Sequence, residues 1–350
     1  MTPAPLTPAG ALRRIAFLLE RAREPSYRVK AFRTAATVVS AMDDAELDRR
    51  VRTKTLTDLK GIGDKTAAVV LEAHRGDVPT YLAKLEEAYA ELTPLADDAA
   101  ALRAALKGDL HAHSEWSDGG SSIRDMAEAA IAIGHEYLAL TDHSPRLTVA
   151  NGLSPERLEQ QLDVVAALNE ELAPFRILTG IECDINVDGS LDQTDELLGR
   201  LDVVVASVHS ELRAPSAQMT QRMLAAVANP HTDVLGHCTG RLVIGRQQRN
   251  GTQRPRPESE FDAEAVFRAC VEHGTAVEIN SRPERLDPPR RLLTLAQEIG
   301  CDFSIDTDAH APGQLDWQDN GCARAVECGV PADRVINTLA ADHLLARTRG

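Results

Sequence analysis

Seven short apolar runs in the C-terminal two-thirds of the chain hold the residues that could do chemistry. Six of them end at, or one residue short of, a histidine, aspartate or glutamate, and only the sixth lacks such an ending. The runs cover residues 109–113, 137–143, 176–182, 203–209, 234–237, 276–280 and 303–310. When parallel strands alternate with helices, side chains at the carboxyl ends of the strands converge at one mouth of a barrel. Imidazoles and carboxylates gathered there can hold divalent metals.

The candidate metal ligands follow from the position of each residue in its run. His111 and His113 stand two apart on one strand, so both rings face the barrel interior. A lone histidine is most often structural, but many unpaired polar groups at one mouth would cost too much desolvation without an ion. The predicted ligands are His111, His113, Asp118, His143, Glu182, His209, His237, Asp308 and His310.

Such a ligand set indicates hydrolysis at phosphorus, because divalent ions activate water near neutral pH and neutralise phosphate oxygens. We expect in-line attack without a covalent enzyme intermediate. Asp142 is a candidate general acid; a metal-bound water is the alternative acid, and Asp142 could instead orient His143. Arg241, Arg246 and Arg282 lie near strand ends and are predicted to contact substrate phosphates, with Arg241 also assigned to catalysis. Residues 246–257 are predicted to form a loop near the mouth.

The elements that must position these residues indicate an α/β fold. The chain has 350 residues, enough for two domains, and only 3% of them are aromatic, so the core must be mainly aliphatic. No apolar run reaches membrane-spanning length and no signal pattern begins the chain, so we expect a soluble, cytoplasmic protein. The six cysteines form no CxxC pair, which argues against a zinc knuckle.

The charge is distributed unevenly along the chain. Residues 1–84 contain 15 lysines and arginines against 10 acidic residues, whereas the remainder contains 23 against 43. A basic module joined to an acidic body fits one part that contacts a polyanion and another that binds cations. Ordinary surface variation is the alternative explanation.

The basic module carries a glycine turn between predicted helices. Gly61 and Gly63 flank Ile62, and Lys65 follows at the start of the next helix. Backbone N–H groups exposed at such a helix start suit a phosphate oxygen, so this is a candidate helix-hairpin-helix that contacts DNA through Gly61, Gly63 and Lys65. A plain packing corner between helices would need the same glycines.

Two resemblances rest on these motifs. Residues 11–90, with the segments 27–33 and 59–67, resemble the small N-terminal domain of family X DNA polymerases. In some members a lysine after the glycine turn forms a Schiff base; Val69 stands there, so we expect no lyase activity. From Gly108 onward the chain resembles the PHP (polymerase and histidinol phosphatase) family, specifically the PHP domain of bacterial family X polymerases. The matching segments are 109–113, 117–119, 140–144, 180–182, 205–209, 236–242 and 307–310.

The PHP resemblance implies a distorted barrel of seven βα units. It implies that the nine predicted ligands bind up to three divalent ions (manganese, zinc or iron), with Glu182 as a bridging carboxylate. Arg241 matches the family's His-Pro-Thr-Gly-Arg motif, although Cys238 replaces the proline, and Arg282 stands where related sequences often have asparagine. The predicted domains are residues 1–84 (helix-hairpin-helix), 85–107 (helical connector) and 108–350 (PHP phosphoesterase).

No polymerase core separates the two parts, and no Asp-x-Asp pair lies between residue 85 and the first strand, so we expect no polymerisation. The sequence therefore favours a metal-dependent phosphoesterase that processes DNA 3′ ends in repair, as a 3′–5′ exonuclease or by removing 3′ phosphates. The alternatives are a small-molecule phosphomonoesterase such as histidinol phosphatase, and a non-catalytic nucleic-acid-binding accessory protein.

Overall fold

The structure is a computed structural model that describes residues 6–90, 94–247 and 253–348. The chain divides into two compact units, residues 1–94 and residues 95–350. This division falls within the segment 85–107 that the sequence predicts as a helical connector.

The described part of the N-terminal unit is helical, as predicted. Pro8 occupies the first turn of the first helix, and the side chain of Thr7 caps that helix by accepting a hydrogen bond from the Gly10 N–H at 3.1 Å. Leu12, Ile15 and Leu19 recur at helical spacing and are fully buried. The helices are α1 (Pro8–Arg21), α2 (Ser26–Ser40), α3 (Asp44–Thr53), α4 (Asp64–His74) and α5 (Thr80–Ala90), with a 3₁₀ turn at Leu56–Asp58.

Seven parallel strands form the main sheet of the C-terminal unit within the described residues. Most of their side chains are buried, which is typical of parallel strands covered on both faces. The strands are β1 (Gly108–Ala112), β2 (Tyr137–Leu140), β3 (Arg176–Asp184), β4 (Val203–Ser207), β5 (Val234–Leu235), β8 (Ala276–Asn280) and β9 (Phe303–Asp306), with β6 (Leu242–Gln247) and β7 (Gln253–Arg256) outside this sheet. Their spatial order β1-β2-β3-β4-β5-β8-β9 follows the chain, which agrees with the predicted succession of βα units.

The sheet curls until its two edges meet. Ala112 forms a parallel bridge with Ala309, and the His113 N–H donates to the Ala309 carbonyl at 2.8 Å. Further along this seam side chains replace the backbone ladder, because the Leu110 N–H donates to the Asp306 carboxylate at 2.8 Å. The result is a nearly closed, distorted barrel of seven strands, which confirms the predicted fold class.

Helices surround this barrel, and a hairpin is inserted between β5 and β8. The helices are α6 (Asp97–Ala105), α7 (Ile123–Ala132), α8 (Pro155–Leu172), α9 (Asp195–Leu198), α10 (Ser216–Val227), α11 (Ala263–His273), α12 (Arg290–Ile299), α13 (Gln318–Glu327) and α14 (Ala341–Thr348). The loop prediction for residues 246–257 was wrong at the ends of that segment, because β6 pairs antiparallel with β7, with Arg246 opposite Arg254 and Gln247 opposite Gln253. Its central residues, 248–252, lie outside the described ranges. None of the helices in those ranges has both the length and the apolar character that a bilayer crossing requires.

Candidate functional site

The structure brings all nine predicted ligands together at the carboxyl end of the barrel strands. They fall into four overlapping groups, and within each group one possible ligand atom per residue lies within 4.8 Å of the others. The groups are His113/Asp118/His143/His310, His111/His113/Asp308, His111/Glu182/His237 and His143/Glu182/His209. Because His111, His113, His143 and Glu182 each belong to two groups, the cluster is continuous.

Glu182, near the end of β3, lies at the centre of this cluster and is 1% exposed. Its Oε1 atom is 2.8 Å from His237 Nε2 and 3.2 Å from His209 Nε2. Its Oε2 atom is 2.8 Å from His143 Nδ1 and 3.3 Å from His111 Nε2. One carboxylate therefore faces imidazoles on both of its oxygens, which is the arrangement expected of a bridging ligand.

Two further carboxylates accept hydrogen bonds from histidine ring nitrogens that do not face Glu182. Glu278 on β8 accepts a hydrogen bond from His111 Nδ1 at 2.6 Å, and Asp184 at the end of β3 accepts one from His209 Nδ1. With Nδ1 donating, Nε2 of each neutral ring can bind an ion beside Glu182. Carboxylate partners of this kind fix the tautomer and orientation of metal-binding histidines.

The donor atoms at the centre fit a cation. Both ring nitrogens of His113 are buried without a hydrogen-bond partner, as are His111 Nε2 and Glu182 Oε2. A buried polar atom left unpaired costs about 1–3 kcal/mol. Nitrogen and carboxylate donors in one buried pocket suit borderline divalent metals, which would satisfy these atoms together.

The electrostatics of the cluster are set by burial and by its acids. Burial lowers the pKa of His143, but Glu182 and Asp118 outweigh it and raise that pKa to about 10. Burial and the neighbouring Arg285 lower the pKa of His237 to about 4. Burial raises the pKa of Glu182, but the neighbouring imidazoles outweigh it and hold that pKa well below its usual value. Glu182 is therefore anionic, and positive charge is drawn to it.

The predicted phosphate-contacting arginines have protein partners. Arg241 donates from Nε to the Arg285 carbonyl at 3.1 Å and from Nη2 to the Leu286 carbonyl. Arg282 donates from Nη1 to the Asp308 carbonyl at 3.0 Å and lies 3.1 Å from His310 Nδ1. The side chain of Arg246 lies outside what the structure describes. Substrate contact by these three arginines stays a prediction.

Asp142 is buried next to the cluster, and its carboxylate is fully engaged. It accepts hydrogen bonds from the Ser114 N–H at 2.8 Å, from the Ser114 hydroxyl at 2.6 Å and from Gln161 Nε2 at 2.7 Å. Ser117 also donates its hydroxyl to this carboxylate. Burial raises the pKa of Asp142. These contacts indicate that Asp142 positions the loop after β1, and they favour this role over that of a general acid.

The glycine turn of the N-terminal unit precedes α4. Gly61 has a φ of +98°, and a Cβ there would lie 2.7 Å from Thr34 Cγ2, so the turn requires this glycine. A Cβ at Gly63 would meet nothing within 4 Å, and Lys65 is exposed. The Gly63 N–H itself donates to the Thr66 hydroxyl at 3.0 Å. Donors for a phosphate would therefore come from the first turn of α4, whose N–H groups have no partner within the helix.

Sequence reasoning missed three residues of the cluster: Asp184, Glu278 and Arg285. Asp184 stands two residues after Glu182 on the same strand, and Glu278 stands two before Asn280. Side chains two apart on a strand face the same side, so this alternation could have predicted that both acids point into the barrel. Arg285 lies in the loop after β8, and its Nε donates to Asp308 Oδ2 at 2.9 Å. Nothing in the sequence spacing marked that arginine.

Comparison with known proteins gives two domain matches. The PHP domain family matches residues 109–282, and the helix-hairpin-helix domain family matches residues 7–77. All nine candidate ligands lie in the C-terminal unit, although Asp308 and His310 follow the matched PHP segment.

Individual relatives fall into two kinds. The chain is 44% identical over 232 residues to the DNA polymerase/3′–5′ exonuclease PolX of Bacillus subtilis; the alignment covers 66% of this chain but only 39% of that protein. It is 29% identical over 240 residues to a probable phosphatase of Edwardsiella ictaluri, covering 65% of this chain and 89% of that protein. A solved histidinol phosphate phosphatase from Lactococcus lactis is 20% identical, with a TM-score of 0.46, and the match covers 64% of this chain and 94% of that one.

Proposed function

Because the C-terminal unit belongs to the PHP family and is a metal-dependent phosphoesterase domain, we propose that this protein hydrolyses phosphate esters at DNA ends. The proposed reaction is 3′–5′ exonuclease cleavage, or removal of a 3′ phosphate during DNA repair, without polymerase activity. The observation that carries the proposal is the presence, in one chain, of a nine-residue ligand cluster and a helix-hairpin-helix domain.

We assign the nine clustered residues as ligands of up to three divalent ions, drawn from manganese, zinc and iron. Divalent ions held there would lower the pKa of a water molecule and neutralise phosphate oxygens, which is what ester hydrolysis at phosphorus requires. Glu182 is the central member of the set, and Glu278 and Asp184 orient the rings of His111 and His209.

The burial of the cluster gives the substrate a direction of approach. Asp118 and His310 lie at the rim, with side chains 39% and 18% exposed. His111, His113 and Glu182 lie deeper and are at most 1% exposed. A phosphate ester would meet the rim groups first, while the buried interior keeps electrostatic interactions strong.

DNA is favoured as the substrate because of the N-terminal unit. The first turn of α4 presents backbone N–H groups and the positive end of a helix dipole, and Lys65 adds a charge. Contacts of this kind bind the phosphate backbone without reading sequence. The exonuclease named among the relatives supports the same substrate class.

A small-molecule phosphomonoesterase is the second candidate. It is favoured by a specific observation: a relative described as a probable phosphatase aligns with this chain over 89% of its own length. If this candidate is correct, the helix-hairpin-helix unit would not affect turnover.

One assay separates the candidates. Manganese-loaded protein is given end-labelled primer DNA, histidinol phosphate and an aryl phosphate, alongside the variants His111→Ala and Lys65→Ala. Shortening of the DNA that is lost in His111→Ala and weakened in Lys65→Ala supports the proposal. Fast turnover of histidinol phosphate that Lys65→Ala leaves unchanged favours the second candidate. Binding of DNA without turnover of any substrate would reject both.

A further inference from the structure

One buried donor at the cluster has no acceptor among the described residues. Nη1 of Arg285 is buried and makes no hydrogen bond, although another nitrogen of the same guanidinium does. Its Nε donates to Asp308 Oδ2 at 2.9 Å, and the side chain is 15% exposed. A buried guanidinium donor without an acceptor is costly, so this atom indicates a missing partner.

The donor lies beside the metal-ligand cluster. Asp308 divides its carboxylate, with Oδ2 accepting from Arg285 and Oδ1 at 3.5 Å from His113 Nε2. His111, His113 and Asp308 form one of the four groups that could hold a metal ion. Arg285 therefore contacts a candidate metal ligand directly.

The backbone that carries Arg285 is fixed by Arg241. The Arg241 guanidinium donates to the carbonyls of Arg285 and Leu286, the first at 3.1 Å. Leu286 is held in the left-handed region with a φ of +47°, which an unsupported leucine rarely adopts. Arg241, predicted from sequence to contact phosphate directly, thus uses two of its donors to position the neighbouring loop.

A second set of contacts ties the same loop to the segment after β5. The buried Asp287 carboxylate accepts from the Thr239 N–H at 3.1 Å, from the Thr239 hydroxyl at 2.7 Å and from the Arg241 N–H at 3.2 Å. These hydrogen bonds hold the loop on both sides of Leu286. A donor fixed in this way needs little reorganisation when an anion binds.

We propose that Arg285 is a phosphate-binding residue, whose Nη1 donates to a non-bridging oxygen of the substrate phosphate, and that Arg241 positions it. The assignment rests on the proposed phosphoesterase function of this site. Arginine suits the role because its planar, always-charged fork can hold a carboxylate with one edge and a phosphate oxygen with another donor.

The test measures binding of inorganic phosphate to the full-length, manganese-loaded protein by titration calorimetry, with metal content measured by elemental analysis. Arg285→Gln should bind phosphate at least about tenfold more weakly while keeping the wild-type number of metal ions. Arg285→Lys should lie between, because an ammonium supplies the charge without the fork. Arg268→Gln, on the exposed face of α11, is the matched control and should bind phosphate as the wild type does.

Arg241 is tested through its dependence on Arg285. Arg241→Gln should weaken phosphate binding less than Arg285→Gln does, and the double variant should bind no more weakly than Arg285→Gln alone, because the two residues act through one contact. Additive losses would show that Arg241 acts by another route and would overturn its positioning role.

Two results would overturn the assignment of Arg285. The first is wild-type phosphate affinity in both Arg285 variants. The second is loss of metal in parallel with phosphate affinity in both, which would mean that Arg285 serves Asp308 alone. If Arg285→Gln fails to fold, Arg285→Lys decides by the same criteria. The wild-type protein could bind phosphate and yet hydrolyse neither primer DNA, histidinol phosphate nor an aryl phosphate. That result would refute the proposed function but not the phosphate-binding assignment.

Discussion

The two units offer a phosphate very different partners. At the glycine turn of the N-terminal unit the available groups are backbone N–H donors at the start of α4, with Lys65 as the neighbouring exposed cation. At the mouth of the barrel they are imidazoles and carboxylates packed around Glu182, most of them buried. The first arrangement depends on side chains being small, and the second depends on the identity of each side chain.

This difference predicts unequal tolerance to substitution. A backbone-built contact can lose one charge and retain most of its affinity, because several N–H groups and the helix dipole share the phosphate. When one carboxylate of a buried cluster is neutralised, the repulsion between the remaining positive charges is no longer offset, because charges there are poorly screened. Variants of the two units, taken in order of decreasing effect, can test this contrast.

Replacing the central carboxylate should have the greatest consequence. Glu182→Gln removes the anion that faces four imidazoles, so we expect the loss of at least one bound ion and a fall in hydrolysis of about 1000-fold, or about 4 kcal/mol. Elemental analysis and initial rates on an aryl phosphate measure both. Glu170→Gln, exposed on α8, is the control. Full metal content with wild-type rates in Glu182→Gln would contradict the central role of Glu182.

Acid should destabilise the C-terminal unit through a buried histidine outside the cluster. Burial lowers the pKa of His135 to about 3, from an ordinary value of 6.5. The unfolded chain therefore binds more protons than the folded one between these values, and stability falls as the pH drops from 6.5 toward 3. At about pH 4.5 the loss from His135 should be about 3 kcal/mol.

Tryptophan fluorescence can follow this loss, because Trp116 and Trp317 both lie in the C-terminal unit. Denaturant unfolding of the wild type and of His135→Gln, each at about pH 7 and about pH 4.5, isolates the contribution of His135 from that of the metal cluster. The variant should lose less stability on acidification. Equal losses in the two proteins would refute the assignment of the effect to His135.

Removing a carboxylate that hydrogen-bonds a candidate metal ligand should have an intermediate effect. Glu278→Gln weakens the hydrogen bond that orients His111, and such changes cost about 10–100-fold in metal affinity. Competition with a calibrated chelator measures the affinity. Glu272→Gln, exposed on α11, should bind metal as the wild type does. If Glu278→Gln matched that control, Glu278 would be a structural residue of the barrel.

The mildest effects should come from the glycine turn. Lys65→Ala should weaken DNA binding only a few-fold and reduce the dependence of log affinity on log salt by about one. Gly63→Ala places a methyl group in open space, so it should preserve the melting temperature while weakening DNA binding. Fluorescence anisotropy over a salt series measures both variants.

Gly61→Ala is the contrasting variant at the same turn. Its methyl group would lie 2.7 Å from Thr34 Cγ2 in a left-handed backbone conformation, so it should lower the melting temperature. Unchanged DNA affinity in all three variants would indicate that the turn is only a packing corner, which is the alternative that the sequence left open.

The strand count and the gathering of the nine candidate ligands could be predicted from sequence for a simple physical reason. In a parallel βα barrel every strand delivers its carboxyl end to the same mouth, so a histidine or acid that closes an apolar run is placed by topology alone. Glu182 lies near the end of β3 and His209 follows β4, so the two meet without any further information. The i, i+2 spacing of His111 and His113 added the inward direction.

Other features were not predicted, for two different reasons. The hairpin of β6 and β7 replaced parts of a predicted loop because its two segments pair with each other, and such pairing is known only from three-dimensional positions. The Gly63 N–H, predicted to be available, is taken by the Thr66 hydroxyl. This second contact is local, because Gly63 and Thr66 are the N-cap and N3 residues of α4, and a capping pattern could have indicated it.

Local sequence therefore determined which residues gather at the mouth of the barrel, because strand direction and side-chain alternation are properties of each segment. The hydrogen-bond partners of each residue there were decided by tertiary contacts. Arg241 turns toward the carbonyl of Arg285, and Arg285 reaches Asp308, because loops from different strands pack against each other. Such contacts depend on distances between chain segments, and these distances are set when the whole barrel has folded.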